Sequence, residues 1–415
     1  MSGNHPIIEE ANGLLSQLIE WRRNFHQYPE LSFQEFRTSR YIAETLEKIG
    51  GIKVDRGIGT ETSVIGTLTN GEGPVIAIRA DIDALPIQEE NEIGYRSRHE
   101  GVMHACGHDA HTAILLGVAR MLAVRFERRE LTGTVKFVFQ PAEESTDGTG
   151  LSGSPYLMEA GVYDNVDAAM ALHMCPWLSA GEAQINDGPS MANVDVFVAR
   201  IFGTGGHGAY PELGTDPAWM LGPVLQALHG IVARKISALE AAVISIGQIH
   251  AGTASNILPT EVMIEGTIRS YDTAIRDLLA MELQKALNVV HSLDGSYSLE
   301  IQRGEPALFN NPIVNERFIQ AIHELDPEWR IIKKPFGMGG EDFGFVTQQL
   351  PGAMFFLGCA PSDGVQRDLH TPIFEIDENC LPIGTAILAQ SAIDFLKDGI
   401  SVRNQTKLEV DAYGS

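Results

Sequence analysis

The chain has 415 residues, of which 44% are hydrophobic and 20% charged, and its 54 Asp+Glu against 30 Lys+Arg leave a net charge of −24. That length calls for two domains, and that composition is typical of a folded globular protein rather than a disordered one. So acidic a chain has no general attraction for nucleic acid or an anionic membrane surface, and neither is expected as a partner.

The N-terminal stretch "MSGNHPIIEEANGLL" lacks a basic segment followed by an apolar one, so no signal peptide is expected. No apolar run approaches the roughly 18 residues of a membrane span. Residues 12–26 carry Leu14, Leu15, Leu18, Ile19 and Trp21 at helical spacing and predict a helix. Residues 38–49 predict another, with Thr38 and Ser39 as capping candidates and Gly50-Gly51 as its stop. "GPVIAIRADIDALP" reads as a buried strand, Val75 to Ile78, running into an acidic loop. "HTAILLGVARMLAV" reads as a helix, "GTVKFVFQPAEE" as a strand ending in a proline and two glutamates, and "VDAAMALHM" as a strand ending in a histidine. This alternation predicts an α/β sheet with much parallel pairing.

The middle of the chain changes character. A strand at 194–202, a helix at 216–235, strands at 243–249 and 261–269, a helix at 273–292 and a strand at 297–302 follow one another. The order β-α-β-β-α-β is that of a ferredoxin-like unit, complete in itself. We therefore expect a discontinuous catalytic domain, 1–190 and 303–415, interrupted by an inserted domain at 191–302. A helix at 378–397 completes the first domain, and the tail "VRNQTKLEVDAYGS" reads as frayed. There is no internal repeat or low-complexity segment.

Four ionisable clusters follow predicted strands: Asp81 with Asp83, "MHACGHDAH" at 103–111, Glu143-Glu144, and His173. In an open α/β sheet, ligands gather beyond the carboxyl ends of strands, so these clusters point to one site. If 104–108 is extended, His104, Cys106 and His108 share a face, and Cys106 and His108 can reach one metal. Thiolate with imidazole suits zinc best, with nickel, cobalt and manganese as alternatives. Asp81 and Asp83, two apart, then point the same way, and one can orient a ligand from behind. Adjacent Glu143 and Glu144 point apart, so one can bind metal while the other moves a proton. Taken alone, each cluster also reads as solvated loop polarity or a satisfied core histidine. Cys106 is also open to a nucleophile reading, since a nearby histidine lowers a thiol pKa, although no nucleophile elbow is present. The four cysteines, Cys106, Cys175, Cys359 and Cys380, are irregularly spaced without a CxxC pair. That predicts no disulfide framework, no structural zinc knuckle and a cytoplasmic setting.

"FHQYPELSFQE", "RADIDALPIQE", "MHACGHDAHTA", "FQPAEE", "GGHGAYP", "GTASNILP", "GGEDFGF" and "LHTPIFEID" appear in that order. With these motifs the chain resembles the M20 metallopeptidase family, in its amidohydrolase branch, subfamily D: hippurate hydrolases, N-acyl-amino-acid aminoacylases and auxin-conjugate hydrolases. The resemblance implies a mixed, mostly parallel-sheet metallohydrolase domain with an inserted ferredoxin-like lid that mediates dimerisation or higher homo-oligomerisation. It implies two divalent ions (Zn, Mn, Ni or Co) held by Cys106, His108, Glu144, His173 and His370. Glu143 would be the general acid/base, with Asp83 as the orienting carboxylate. His207 would polarise the scissile carbonyl, and Asn256 and Arg269 would hold the substrate amide or carboxylate. The implied reaction is hydrolysis of a small N-acyl amino acid, with a dipeptidase or carboxypeptidase of the same family as the alternative. The chain departs from the family at "YPELGTDP", where Glu212 stands in a segment in which relatives often have Pro-His; a carboxylate there bears on which substrates are accepted.

Overall fold

The computed structural model describes residues 5–399; the tail read as frayed, 402–415, lies outside them. The chain divides into two compact units. One comprises the described residues of Met1–Gly188, Asn310–Pro335 and Val346–Ser415; the other is Pro189–Phe309 with Phe336–Phe345. The sequence placed all of 303–415 in the first domain, whereas Phe336–Phe345 clusters with the insertion. Backbone hydrogen bonds hold it there, from Phe336 and Gly337 to the Ser190 carbonyl and from Ala192 to that of Gly339.

The first unit is built on an eight-stranded mixed sheet. Its central strands are Gly133–Gln140, Val75–Asp81, Ala168–Ser179 and Gly352–Ala360, each parallel to the next. Val64–Asn70 and Lys53–Arg56 extend one edge antiparallel. Glu182–Gln184 and Arg330–Ile332 extend the other. Val75–Asp81 and Gly352–Ala360 are buried along almost their whole length, as central parallel strands covered by helices must be.

Helix His108–Glu127 is buried on nearly every side and packs against Leu15–Gln27, Phe36–Ile49 and Cys380–Asp398. Its apolar residues run all round rather than along one stripe, as expected of a core helix. The helix expected at 12–26 is Leu15–Gln27, and a separate helix that was not expected, Pro6–Gly13, precedes it. The break falls beside Gly13, the poorest helix former of that stretch apart from proline.

The inserted unit has one antiparallel sheet, in the order Ala242–Ala251, Glu261–Ser270, Asn193–Phe202, Ser296–Arg303. Asn193–Phe202 and Glu261–Ser270 alternate strictly between buried and less buried residues, so one face of the sheet is core. Helices Pro217–Lys235 and Thr273–Leu287 supply Met220, Val224, Leu228, Leu279 and Leu283 to that core. Both helices start at an aspartate that accepts their first free amides: Asp216 from Ala218, and Asp272 from Ala274 and Ile275. The second helix stops short of the expected residue 292 and tightens into a 3-10 turn, Asn288–Leu293.

Candidate metal centre and active site

In the first unit, strands Val75–Asp81 and Gly133–Gln140 end level, with Asp81 opposite Gln140, and His173 lies on the neighbouring strand opposite Phe356. The site forms at this edge. The "MHACGHDAH" segment does not reach it as an extended strand, contrary to the expectation for 104–108. Gly107 is left-handed (φ 93), and the helix starts at His108 itself. A Cβ on Gly107 would stand 2.6 Å from the Met174 side chain, so only glycine fits the turn. Cys106 and His108 thus converge across a turn, not along one strand face. Asp81 and Asp83 likewise serve different partners.

Cys106 Sγ lies 3.4 Å from His173 Nε2 and 3.3 Å from His370 Nε2. The half-exposed His370 comes from a turn where its own φ is 59, and its N–H donates to the Ala105 carbonyl at 2.8 Å. Glu144 Oε1 is 3.3 Å from His370 Nε2 and 3.7 Å from His108 Nε2; Glu143 Oε2 is 4.0 Å from His108 Nε2.

Hydrogen bonds fix which ring nitrogens face inward. His108 Nδ1 lies 2.9 Å from the Asp83 carbonyl and 3.3 Å from Asp83 Oδ1, both acceptors, so Nδ1 carries a proton and Nε2 faces the site. His173 Nδ1 is 2.8 Å from the Met174 carbonyl, with the same consequence. Asp83 Oδ2 also accepts from Ser32 Oγ at 2.7 Å and from the Glu144 amide at 3.0 Å. One buried carboxylate therefore braces both His108 and the backbone of Glu144.

Two groups of donor atoms, each within 4.8 Å, share Cys106: one adds His108 and His173, the other Glu144 and His370. Buried His108 Nε2 has no hydrogen-bond partner. Orphaned polar atoms of this kind are costly unless something else engages them. Thiolate, imidazole and carboxylate together suit borderline divalent ions, so these residues fit a metal centre. Asp81, His108 and His111 form another close group. Its lone pairs are largely committed: His111 Nε2 accepts the Met174 amide at 2.9 Å, His111 Nδ1 donates to Asp81 at 2.6 Å, and Arg79 donates to Asp81 at 2.7 Å. His111 instead pins the backbone beside His173.

Burial pushes the Cys106 thiol well up, and the charges of Glu144, Glu143 and Asp81 push the same way. Burial alone would lower His108, but the charge of Asp81 and the hydrogen bond and charge of Asp83 outweigh it and raise His108 to about 10. Burial, helped by His111, holds His173 well below its ordinary value. The Glu144 hydrogen bond raises His370.

A second buried network lies behind the loop and was not anticipated from the sequence. Asp109 Oδ2 accepts from Arg22 Nε at 2.9 Å and pairs with His26 Nδ1 at 2.8 Å; His26 Nε2 meets Glu89 at 3.2 Å. It ties helix Leu15–Gln27 to the first turn of His108–Glu127. A signal for it existed: Arg22 and His26 continue the buried Leu18 position at intervals of four, placing charge on a core face. His104 is also buried, and burial lowers it to about 4, so it is neutral.

His207, Asn256 and Arg269 belong to the inserted unit. His207 pairs with Ile257 in a short ribbon, and the Gly208 amide donates to the Asn256 carbonyl at 2.9 Å, bringing His207 and Asn256 together. Both are exposed. His207 Nδ1 accepts the Ala209 amide at 3.0 Å, which leaves the proton of the neutral ring on Nε2. Arg269 is half-buried near the end of Glu261–Ser270, with Nη1 donating to the Met338 carbonyl at 3.0 Å. Glu212 is exposed in the short turn Pro211–Leu213.

Residues 77–394 match Peptidase family M20/M25/M40. N-acetyl-L-cysteine deacetylase of Bacillus subtilis is 37% identical over 396 residues, covering 93% of this chain and 91% of that protein. Thermostable carboxypeptidase 1 of Saccharolobus solfataricus is 35% identical over 398 residues, covering 94% and 99%. The Bacillus subtilis YXEP protein, a dinuclear metal-binding peptidase of the M20 family, has a similar solved structure, with a TM-score of 0.81 and 33% identity over 93% of this chain and 99% of that one. The similarity spans most of the chain, which belongs to the M20/M25/M40 peptidase family of amide-bond hydrolases.

Proposed function

We propose that this protein hydrolyses the amide bond of N-acyl or N-aroyl amino acids, releasing a carboxylic acid and a free amino acid. The carrying observation is the pair of donor groups that share Cys106, with Glu143 beside them. Cys106, His108, Glu144, His173 and His370 would hold two divalent ions: zinc, manganese, nickel or cobalt. Such ions supply Lewis acidity, polarising a carbonyl and making water a stronger acid.

Glu143 takes the proton of the attacking water and passes it to the leaving amine. Asp83 keeps His108 turned inward and the Glu144 backbone in place. His207 offers Nε2–H to the developing oxyanion, and Asn256 orients the amide. Arg269 pairs with the free carboxylate of the amino-acid part, a geometry that suits a guanidinium.

The N-acetyl-L-cysteine deacetylase similarity favours the acyl-amino-acid reading, and the carboxypeptidase similarity supports peptide cleavage as the alternative. We further infer a homodimer formed through the inserted unit. Its strand Ala242–Ala251 lies at a sheet edge and is largely exposed from Ser245 onward, a template for pairing that a monomer leaves uncovered. Four buried free cysteines fit a cytoplasmic protein. Among the described residues no helix is long and apolar enough to cross a membrane.

Metal analysis combined with a panel of N-acetyl, N-benzoyl and longer N-acyl amino acids, set against dipeptides, tests the proposal. The expected result is hydrolysis of acyl amino acids, lost on chelation and restored by metal. Faster cleavage of peptides would select the alternative. Turnover indifferent to chelators would sink the metal reading and revive Cys106 as a nucleophile.

A further inference from the structure

The motif "FHQYPELSFQE" has no part in the chemistry above, yet it reaches the turn that carries Glu143 and Glu144. Glu35, just before helix Phe36–Ile49, is completely buried. Its Oε1 accepts the amide of Phe33 at 2.9 Å and that of Ala142 at 2.9 Å, and its Oε2 is 2.7 Å from Thr62 Oγ1. Ala142 has φ 53, a backbone conformation that a non-glycine residue keeps only when its surroundings impose it.

The other attachments of the turn are equally specific. The Ala142 carbonyl accepts the Gly153 amide at 2.7 Å, and a Cβ on Gly153 would lie 1.8 Å from the Pro141 carbonyl oxygen. The Glu144 amide donates to Asp83, which Ser32 holds. The backbone is thus gripped on both sides of Glu143: by Glu35 before it and by Ser32 through Asp83 after it. Both grips come from the same short motif.

We propose that Glu35 is a positioning residue, which holds the Ala142 amide across 107 residues of chain and thereby sets where the Glu143 carboxylate stands. This rests on the assignment of Glu143 as the acid/base. Burial and the charge of Asp83 raise Glu35 to about 8, so near neutral pH its carboxyl group is protonated in much of the population. Glutamine reproduces that arrangement: its carbonyl accepts both amides and its amino group donates to the Thr62 oxygen.

The test uses the metal-loaded enzyme and its Glu35→Ala, Glu35→Gln and Glu143→Ala variants. Hydrogen–deuterium exchange is followed over residues 141–153 alongside kcat, KM and metal content. We expect Glu35→Ala to speed exchange in that segment and to lower kcat roughly 100-fold, the cost of about an ångström of misplacement, with KM little changed. Glu35→Gln should recover most of both. If Glu35→Ala does not fold, Thr62→Val removes only the supporting hydroxyl and should shift exchange and kcat in the same direction by less.

Unchanged exchange at 141–153 in Glu35→Ala would overturn the proposal. So would a loss of protection spread evenly over the unit, with Glu35→Gln no better than Glu35→Ala. A loosened turn with undiminished kcat, beside an inactive Glu143→Ala, would also overturn it while leaving the Glu143 assignment standing. An active Glu143→Ala would instead remove that assignment, and the exchange result would then decide alone whether Glu35 holds the turn.

Discussion

Adding Zn2+ to the metal-free protein at pH 7 should expel protons, one of them from Cys106. A metal takes a cysteine as thiolate and a histidine as neutral imidazole. Burial and three nearby carboxylates push the Cys106 thiol well above its ordinary value, and His108 stands at about 10, so both are protonated before metal arrives. Stripping His108 at pH 7 spans about 3 pK units (10 − 7), or roughly 4 kcal/mol at about 1.36 kcal/mol per unit. Because both pKa values are raised, affinity climbs as pH rises toward them. Each proton contributes about tenfold per pH unit, so two contribute about a hundredfold.

Serine at position 106 has no comparable acidity, so Cys106→Ser should release one proton fewer and bind with a slope shallower by one tenfold step. His370, also raised, contributes alike to both proteins and cancels in the difference. Calorimetric titration in buffers of different ionisation heat counts the protons directly, and chelator competition from pH 6 to 8 gives the slope. Equal proton counts in wild type and Cys106→Ser would refute the thiolate-ligand argument.

Glu143→Gln should lower kcat by about 10²–10⁴-fold while metal content, read by elemental analysis, stays at the wild-type value; an active variant would remove Glu143 from the chemistry. His26 bears on stability: burial lowers its pKa, but Asp109 and Glu89 outweigh that and raise it to about 9 from 6.5. Its contribution, about 3 kcal/mol for about 2.5 units, is fully present below pH 6.5 and lost as pH rises through 9. Denaturant unfolding of wild type and His26→Gln at pH 6 and pH 10 checks this, and a stability difference independent of pH would contradict it. Arg269→Ala should raise KM more for free-acid substrates than for their amides in steady-state assays; equal effects would rule out carboxylate pairing.

Local pattern carried much of the architecture into view. Strands such as Asn193–Phe202 announce themselves because a half-buried strand must alternate, and the inserted helices because an apolar stripe repeats with the helical turn. The core helix His108–Glu127 is visible as an apolar run, but its start is not, because it depends on a left-handed turn at Gly107 whose missing side chain makes room for Met174 from another strand. Phe336–Phe345 carries no local mark of the unit it joins; hydrogen bonds to residues near 190 decide that.

The candidate site divides the same way. Which donor types exist, and that they follow strands, is written in the sequence, since the chemistry of a side chain travels with its letter. Whether a donor is available is not. His111 and His108 stand three residues apart and look alike, yet His111 is used up by Met174 and Asp81 while His108 keeps Nε2 facing the site. Cys106 is compatible with several roles within its own nine-residue stretch. It becomes a shared donor only because sheet order and a distant turn bring His173 from 67 residues away and His370 from 264 residues away to its sulfur. Lone pairs are allotted by three-dimensional neighbours, and strand order, not spacing along the chain, decides who those neighbours are.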